Sequence, residues 1–243
     1  MDAERLLWRA LDAADDAGLA AALAAGANAD ACREVEQVVD REVRQYRESA
    51  LHLAVRRGAA ALVQRLLARG AHPDAPQARD EGAPFTIAVR NGRIDLARML
   101  LAAGCACPAA ALQQAATYGM NDLLALCREH GADLNGPPLL PFAAQAGHSS
   151  TLRWLIEHGA DLVRDGAAAL CAAVHGRQHS TTELLLALGV DANARTEFGW
   201  PVLHLAAYAG DRALMQRLLD AGADPDALDD EGMSAEQWFG LAE

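Results

Sequence analysis

Residues 191–206, DANARTEFGWPVLHLA, decide the fold of this chain. They follow Gly189 and join a polar stretch to an apolar, alanine-containing end. The segment belongs to a repeat, because a triplet of Gly, a small residue and a polar residue returns along the chain. These triplets begin at Gly26, Gly70, Gly104, Gly131, Gly159, Gly189 and Gly222. A pattern that recurs in this way predicts a repeat protein in which each unit packs on its neighbours.

A second glycine precedes six of these seven closing glycines at a nearly constant distance. The pairs are Gly58/Gly70, Gly92/Gly104, Gly119/Gly131, Gly147/Gly159, Gly176/Gly189 and Gly210/Gly222. The interval is 12 residues in five pairs and 13 in the pair that begins at Gly176. Between the glycines the apolar residues keep helical spacing, as at Leu62, Val63, Leu66 and Leu67. Each unit is therefore predicted to be helix, turn, helix and an extended loop.

Two segments carry a family resemblance. Ser49–Ala54, SALHLA, resembles the Thr-Pro-Leu-His-x-Ala start of an ankyrin repeat, and residues 191–206 are similar to an ankyrin finger with its first helix. The resemblance implies an all-α ankyrin-repeat solenoid of helix-turn-helix units, with short hairpin-like finger loops and an enlarged first finger. We expect a single domain over residues 1–243. Its units are about 4–28 (N-terminal cap), 49–74, 83–106, 109–135, 139–163, 167–193, 200–226 and 230–243 (C-terminal cap), with an insertion at 30–48.

The repeat is least regular in its middle. From Gly104 the closing glycines are 27, 28 and 30 residues apart, against 33 and 34 in neighbouring units. Loops of this length are too short for full fingers, so we expect the central fingers to be clipped.

The insertion at 30–48 has two interpretations. Val35, Val39, Val43 and Tyr46 stand among charged residues, and a turn is predicted near Asp40 and Arg41. As strands these residues form a long hairpin that extends the first finger, which is the favoured interpretation. As a helix the segment forms an amphipathic stripe of Val35, Val38, Val39, Glu42, Val43 and Tyr46. Val39, Arg41 and Tyr46 are candidate partner contacts in either case.

Composition limits the classes of partner and compartment. The formal net charge is −12, and all 21 basic residues are arginine. This balance argues against nucleic acid as a partner, and it suits a protein with a basic surface. No apolar run is long enough for a membrane span, and the acidic start of the chain does not resemble a secretion signal. Five irregularly spaced cysteines predict reduced thiols, and we expect a cytoplasmic protein that is monomeric when unbound.

The sequence predicts no catalytic site, cofactor or metal. His52 and His204 occupy the motif histidine position, which the resemblance assigns to hydrogen bonds with neighbouring loops. Cys105-Ala106-Cys107 is a lone Cys-x-Cys, for which buried packing is the expected role. His175 and His179 are the basis of the weakest alternative, a metal-dependent enzyme, but no carboxylate and cysteine set joins them at a metal spacing.

The resemblance also implies where a partner binds. Ankyrin modules use their finger tips and the exposed ends of their first helices. Carried over to this chain, the candidate residues are Arg56, Arg57, Arg90, Tyr118, His175, Glu197, Phe198, Trp200, Tyr208, Asp230, Glu231 and Met233. Tyr, Trp and Arg are common interface anchors, and exposed Phe198, Trp200 and Tyr208 would form an apolar patch. For Trp200 the alternative is that its ring packs on the next finger.

A non-catalytic protein-binding module on the concave face of the repeats is the predicted function. Its narrower form is a bacterial immunity or inhibitor protein that neutralises a toxin or an enzyme. The alternatives are a host-directed bacterial effector or adaptor, and the metal-dependent enzyme described above.

Overall fold

The computed structural model describes residues 2–39, 42–74 and 82–242. It divides into two compact units, Met1–Ala111 and Leu112–Glu243, which are described one at a time.

The first unit begins with a helix pair and a β-hairpin. Its elements are α1 Ala3–Ala13, α2 Asp16–Ala24, β1 Cys32–Val39, β2 Glu42–Ser49, α3 Ala50–Arg56, α4 Ala60–Ala68, α5 Pro84–Arg90 and α6 Ile94–Ala102. Strands β1 and β2 pair antiparallel, with Cys32 opposite Ser49 at the base and Val39 opposite Glu42 near the tip. The hairpin interpretation of the insertion is thus confirmed, and the helical alternative is wrong.

The second unit is a succession of helices. Helix α7, Ala109–Thr117, contains the boundary between the units, and it is followed by α8 Asn121–Glu129, α9 Leu139–Gln145, α10 Ser149–Glu157, α11 Leu162–His175, α12 His179–Ala187, α13 Val202–Tyr208, α14 Arg212–Asp220 and α15 Ala235–Ala242. Isolated bridges between Arg195 and Pro201 and between Leu228 and Ser234 close two short fingers. The all-α repeat architecture predicted from the glycine spacing is confirmed.

The core follows the closing glycines. In the second helix of each repeat, the residue four positions before the closing glycine is at most 1% exposed. These residues are Ala22, Leu66, Leu100, Cys127, Leu155, Leu185 and Leu218. The residue seven positions before the closing glycine is fully buried in six repeats, at Leu19, Val63, Ala97, Leu124, Leu152 and Thr182. The helical spacing seen in the sequence therefore marks the buried face.

The irregular 13-residue interval has a backbone explanation. In the other pairs the upstream glycine adopts a positive φ, for example 66° at Gly92. In the irregular unit this conformation belongs to Arg177, at φ 54°, which stands 12 residues before Gly189. Ala14, at φ 53°, does the same 12 residues before Gly26, where the sequence has no upstream glycine. The left-handed residue is thus always 12 before the closing glycine, although its identity varies.

Helix α11 replaces a finger. It begins at Leu162, earlier than the predicted unit start at 167, and the Asp161 side chain accepts the Arg164 backbone N–H at 3.0 Å as its N-cap. Asp165, 7% exposed, pairs with the Arg164 guanidinium at 2.7 Å, so the first turn carries a half-buried ion pair. Where the sequence predicts a clipped finger, the structure therefore has an N-terminal extension of α11 that begins at the Asp161 N-cap.

Candidate functional site

An apolar groove lies beside the finger that carries the predicted aromatic residues. We name it the aromatic groove; Thr196, Phe198, Trp200 and Leu205 line its volume of about 340 Å³. Phe198 is 75% exposed and Trp200 is half-buried. A phenylalanine that leaves three quarters of its side chain in water forgoes most of its burial energy, which favours a surface that a second molecule covers.

Trp238 of α15 supports this groove from behind. Its ring centroid lies 5.3 Å from the ring centroid of Trp200. Tyr208, which is 64% exposed, contacts the Trp238 ring edge-on at a centroid distance of 6.2 Å. Trp200 therefore packs on Trp238 of α15 and also lines the groove, and its role as a partner anchor stays a prediction. Trp238 was missed from the sequence because α15 was treated only as a cap. A tryptophan in a short polar cap helix was the available signal.

The finger is held rigid by its own hydrogen bonds. The Thr196 N–H donates to Trp200 O at 2.9 Å, and the Trp200 N–H donates to Thr196 Oγ1 at 3.1 Å. Arg195 Nη1 donates to Gly199 O at 2.7 Å across the tip. Gly199 has φ 83°, a conformation that side chains rarely adopt. The aromatic residues are thus held on an ordered turn, which lowers the entropy lost on binding.

Asp229 organises the next finger and connects it to α15. Its Oδ1 accepts the backbone N–H groups of Glu231 and Met233, both at 2.9 Å, and its Oδ2 accepts Trp238 Nε1 at 2.6 Å. These donors, led by the Met233 N–H, hold the pKa of the Asp229 carboxyl below its usual value. The buried His204 donates from Nε2 to Met233 O at 2.8 Å, as the resemblance implies for the motif histidine.

Acidic side chains surround the same region. Glu197, Asp230 and Glu231 are exposed on the two fingers, whereas Met233 is half-buried. Residues 220–243 contain eight acidic residues and no basic residue. The aromatic groove therefore lies on a strongly negative part of the chain, as the composition suggested.

Two other candidates of the second unit stand at the ends of first helices. Tyr118 directly follows α7 and is 56% exposed, and His175 is the exposed last residue of α11. Both positions agree with the expected placement on helix ends, and whether they bind a partner stays a prediction.

The arginine candidates of the first unit are largely engaged within the chain. Arg56 forms an ion pair with Glu48, whose side chain is fully buried. Arg57 donates from Nη1 to the Asp12 carbonyl oxygen. Arg90 is the exposed last residue of α5. Charges that are neutralised locally contribute little long-range attraction, so Arg56 and Arg57 are weaker candidates than their exposure suggests.

The hairpin candidates have different positions. Tyr46, opposite Val35 in the register, is 8% exposed, so its ring is packed within the unit and is not offered to a partner. Val39 ends strand β1. Arg41 lies outside the described residues, as does the side chain of Val39.

The histidines of the metal hypothesis have separate surroundings. His179 Nε2 lies 2.9 Å from Asp211 Oδ2, and the other carboxylate oxygen, Oδ1, caps α14 by accepting the Leu214 N–H at 3.0 Å. His175 is exposed at the end of α11. Over residues 2–39, 42–74 and 82–242, no group of three or more His, Cys, Asp or Glu side chains is arranged to hold a metal ion. Within the same ranges, none of the helices has the length and apolar character needed to cross a bilayer.

A ladder of Asp and Asn side chains joins neighbouring repeats, and the sequence analysis missed it. The residue four positions after a closing glycine accepts the backbone N–H of the residue two positions after the next one. The pairs are Asp30 with His72 (2.6 Å), Asp74 with Ala106 (3.1 Å), Asn135 with Asp161 (3.0 Å) and Asn193 with Asp224 (2.8 Å). The recurrence of Asp or Asn at this offset was the signal. Two residues break it: Pro108, four positions after Gly104, and Val163, where α11 replaces the finger.

Comparisons with known proteins agree with this architecture. The family described as "Ankyrin repeats (3 copies)" matches residues 12–111 and 112–196, and "Ankyrin repeat" matches residues 198–230. This chain belongs to the ankyrin-repeat family. The crystal structure of the ankyrin repeat domain of Bcl-3 aligns with a TM-score of 0.61 at 24% identity, over 80% of this chain and 97% of that domain.

Curated relatives match parts of this ankyrin-repeat chain. A putative ankyrin repeat-containing protein of Treponema pallidum is 31% identical over 161 residues, which is 65% of this chain and 47% of that protein. Ankyrin repeat and SAM domain-containing protein 6 of Danio rerio is 34% identical over 119 residues, 37% of this chain and 16% of that protein. The chain thus spans less than half the length of either relative.

Proposed function

We propose that this chain is a non-catalytic module that holds a partner protein in its aromatic groove, and that the partner carries a basic surface. Ankyrin-repeat proteins mediate protein–protein interaction, and the proposal narrows that general role to one place on this chain. The observation that carries it is the exposure of Phe198 beside Trp200 on a finger fixed by its own hydrogen bonds.

The energetics favour an apolar anchor from the partner. Burying an aromatic side chain contributes about 1.5–3 kcal/mol, and interface energy concentrates on a few such residues. Phe198 still has most of this energy to gain, whereas Trp200 has gained part of it against Trp238. Phe198 is therefore the better test of binding, because replacing Trp200 also removes intramolecular packing.

Charge supports the choice of partner. Glu197, Asp230 and Glu231 are exposed around the groove and would accept arginine or lysine at its rim. Rim charges act mainly on association rate and selectivity, and their effect weakens with salt.

The test is affinity purification of partners on the immobilised chain, followed by binding measurements on the purified complex. We expect Phe198→Ala to weaken binding by about 2 kcal/mol while the thermal midpoint stays unchanged. Leu188→Ala is the matched control, since Leu188 is also an exposed apolar residue, at 41%, and lies outside the groove. A partner whose affinity is the same for both variants binds elsewhere, and the groove assignment is then wrong.

The narrower form of the proposal is an immunity or inhibitor protein that neutralises a bacterial toxin or enzyme. Its support is the acidic, lysine-free composition together with an anionic binding surface. A toxin gene beside this one, with rescue of growth on co-expression, would support it. If the neighbouring genes form a housekeeping operon and co-expression does not rescue growth, the immunity or inhibitor role is wrong, and the general role in protein binding remains.

A further inference from the structure

A second apolar groove lies at the other side of α15. Leu203, Met215, Leu219 and Phe239 form its apolar lining, Arg212 and Glu236 stand at its rim, and its volume is about 400 Å³. We name it the end groove. Trp238 and Phe239 are consecutive residues of α15, so this helix supports the aromatic groove by packing Trp238 against Trp200 and lines the end groove with Phe239.

The repeat itself shows what fills such a groove. Within each compact unit, second helices contact one another, as α4 with α6 and α10 with α12, and each carries an inward-facing residue seven positions before the closing glycine. In six repeats this residue is 0% exposed, as at Leu152 in α10 and Thr182 in α12. The seventh, Met215 in α14, is only half-buried. Met215 therefore occupies a position that is fully buried in every preceding repeat.

The geometry of the preceding units specifies the shape of the occupant. A second helix buries its residues eight and four positions before the closing glycine, as at Thr181 and Leu185 of α12 and Leu214 and Leu218 of α14. These positions are an i, i+4 pair on one face of a helix. An occupant of the end groove would place the same kind of pair between α14 and α15.

The charges around the end groove indicate which side chains should flank the apolar face of the occupant. Asp220 and Glu236 are exposed beside the groove, and Asp224 and Asp226 are exposed on the loop that follows α14. Among the described residues that line the groove, the basic one is Arg212, whose guanidinium lies over the Phe239 ring at 4.9 Å from its centroid. The flanks of the occupant therefore need positive side chains to complement the acidic rim.

From these observations we infer that the end groove is a second docking site, which takes a basic amphipathic helix of a partner protein as an additional second helix of the stack. The site is separate from the aromatic groove, and it does not depend on the function proposed above. In four places, α2 with α4, α4 with α6, α10 with α12 and α12 with α14, one second helix contacts the next, which favours a helical occupant over an extended segment.

The test uses the full chain and two synthetic helical peptides. Both peptides carry leucine at i and i+4 on one face, and their remaining positions are alanine with lysine in one and alanine with glutamate in the other. Isothermal titration measures their binding to the wild-type chain and to Met215→Gln, which has nearly the same volume but a polar end. Leu188→Gln is the matched control, because it makes the same kind of change outside the groove.

We expect the lysine peptide to bind and the glutamate peptide to bind at least about tenfold more weakly. Met215→Gln should lower the affinity of the chain for the lysine peptide about tenfold, while Leu188→Gln and Phe198→Ala should leave this affinity unchanged. Equal affinity of the two peptides would overturn the charge argument. No binding, or binding that Met215→Gln does not alter, would overturn the site. Sedimentation that shows a wild-type dimer abolished by Met215→Gln would replace the partner helix with a second copy of this chain.

Discussion

Trp238 donates a hydrogen bond from its indole Nε1 to Oδ2 of Asp229 over 2.6 Å. This bond ties α15 to the loop that precedes it, and the indole then supports Trp200 on the neighbouring finger. The aromatic groove therefore depends on a carboxylate that does not line it.

Asp229→Asn should loosen the groove without changing any of its lining residues. An amide presents one oxygen and one NH₂ group, so it leaves at least one of the three N–H donors around Asp229 without an acceptor. We expect a lower thermal midpoint and a red-shifted Trp200 and Trp238 emission, measured with the other two tryptophans replaced by phenylalanine. Asp230→Asn is the control, because Asp230 is exposed on the same finger.

Low pH should also loosen the aromatic groove, because it protonates the Asp229 carboxylate. The pKa of Asp229 is lowered in the folded chain, so its stabilising contribution is complete above the unfolded pKa of about 3.9. That contribution is lost as the pH falls through the lower, folded pKa. Asp229→Asn should remove this part of the acid transition in the tryptophan emission, and an unchanged transition would assign it to other carboxylates.

Glu48 should be the most sensitive charge of the first unit. Its buried carboxylate accepts Arg33 Nε at 3.1 Å and Nη2 at 3.0 Å, and it also pairs with Arg56. Arg33 in turn reaches Asp12 at 2.8 Å, so the base of the hairpin is joined to α1 and α3. Removing one partner of a buried ion pair leaves uncompensated charge, so we expect Glu48→Ala to cost about 3 kcal/mol. Denaturant unfolding measures this, and Glu34→Ala, which removes an exposed acid from the other strand of the hairpin, should change stability by less than about 0.5 kcal/mol.

The side-chain ladder makes a weaker and more local prediction. Asn193 accepts the Asp224 N–H at 2.8 Å and donates from Nδ2 to Gly222 O at 3.1 Å. Asn193→Ala removes both bonds at an exposed site, so we expect a loss of about 1 kcal/mol in the free energy of unfolding. Val163→Ala changes the matching position of the repeat where the residue is 97% exposed, and we expect it to have no effect. Equal losses in the two variants would mean that the ladder does not stabilise the stack.

Much of the fold could be predicted because its signals are local. The closing glycines, the helical spacing and the motif histidine each depend on nearby residues, and the structure has the predicted helix pairs around them. The role of Trp238 depends on its contact with Trp200, which is distant in sequence, and no local pattern encodes such a contact. The burial of Tyr46 and the pairing of Arg56 with Glu48 involve shorter separations, but they depend on how the hairpin packs, which the sequence pattern does not specify. The 13-residue interval was visible in the sequence, but its cause required the backbone conformation of Arg177.

Gly176 tests that explanation of the interval. Gly176 has φ −76°, so it is not needed for the left-handed turn, which belongs to Arg177. It is needed because a Cβ there would overlap the backbone oxygen of Gln145 at the end of α9. We therefore expect Gly176→Ala to cost about 1–3 kcal/mol through overpacking between α9 and α11, measured by denaturant unfolding. Gly136→Ala is the control, since the nearest atom that its Cβ would meet is Asp133 Oδ2, at an ordinary 3.4 Å. If Gly176→Ala is as stable as this control, the close approach of the two helices is not what requires glycine at this position.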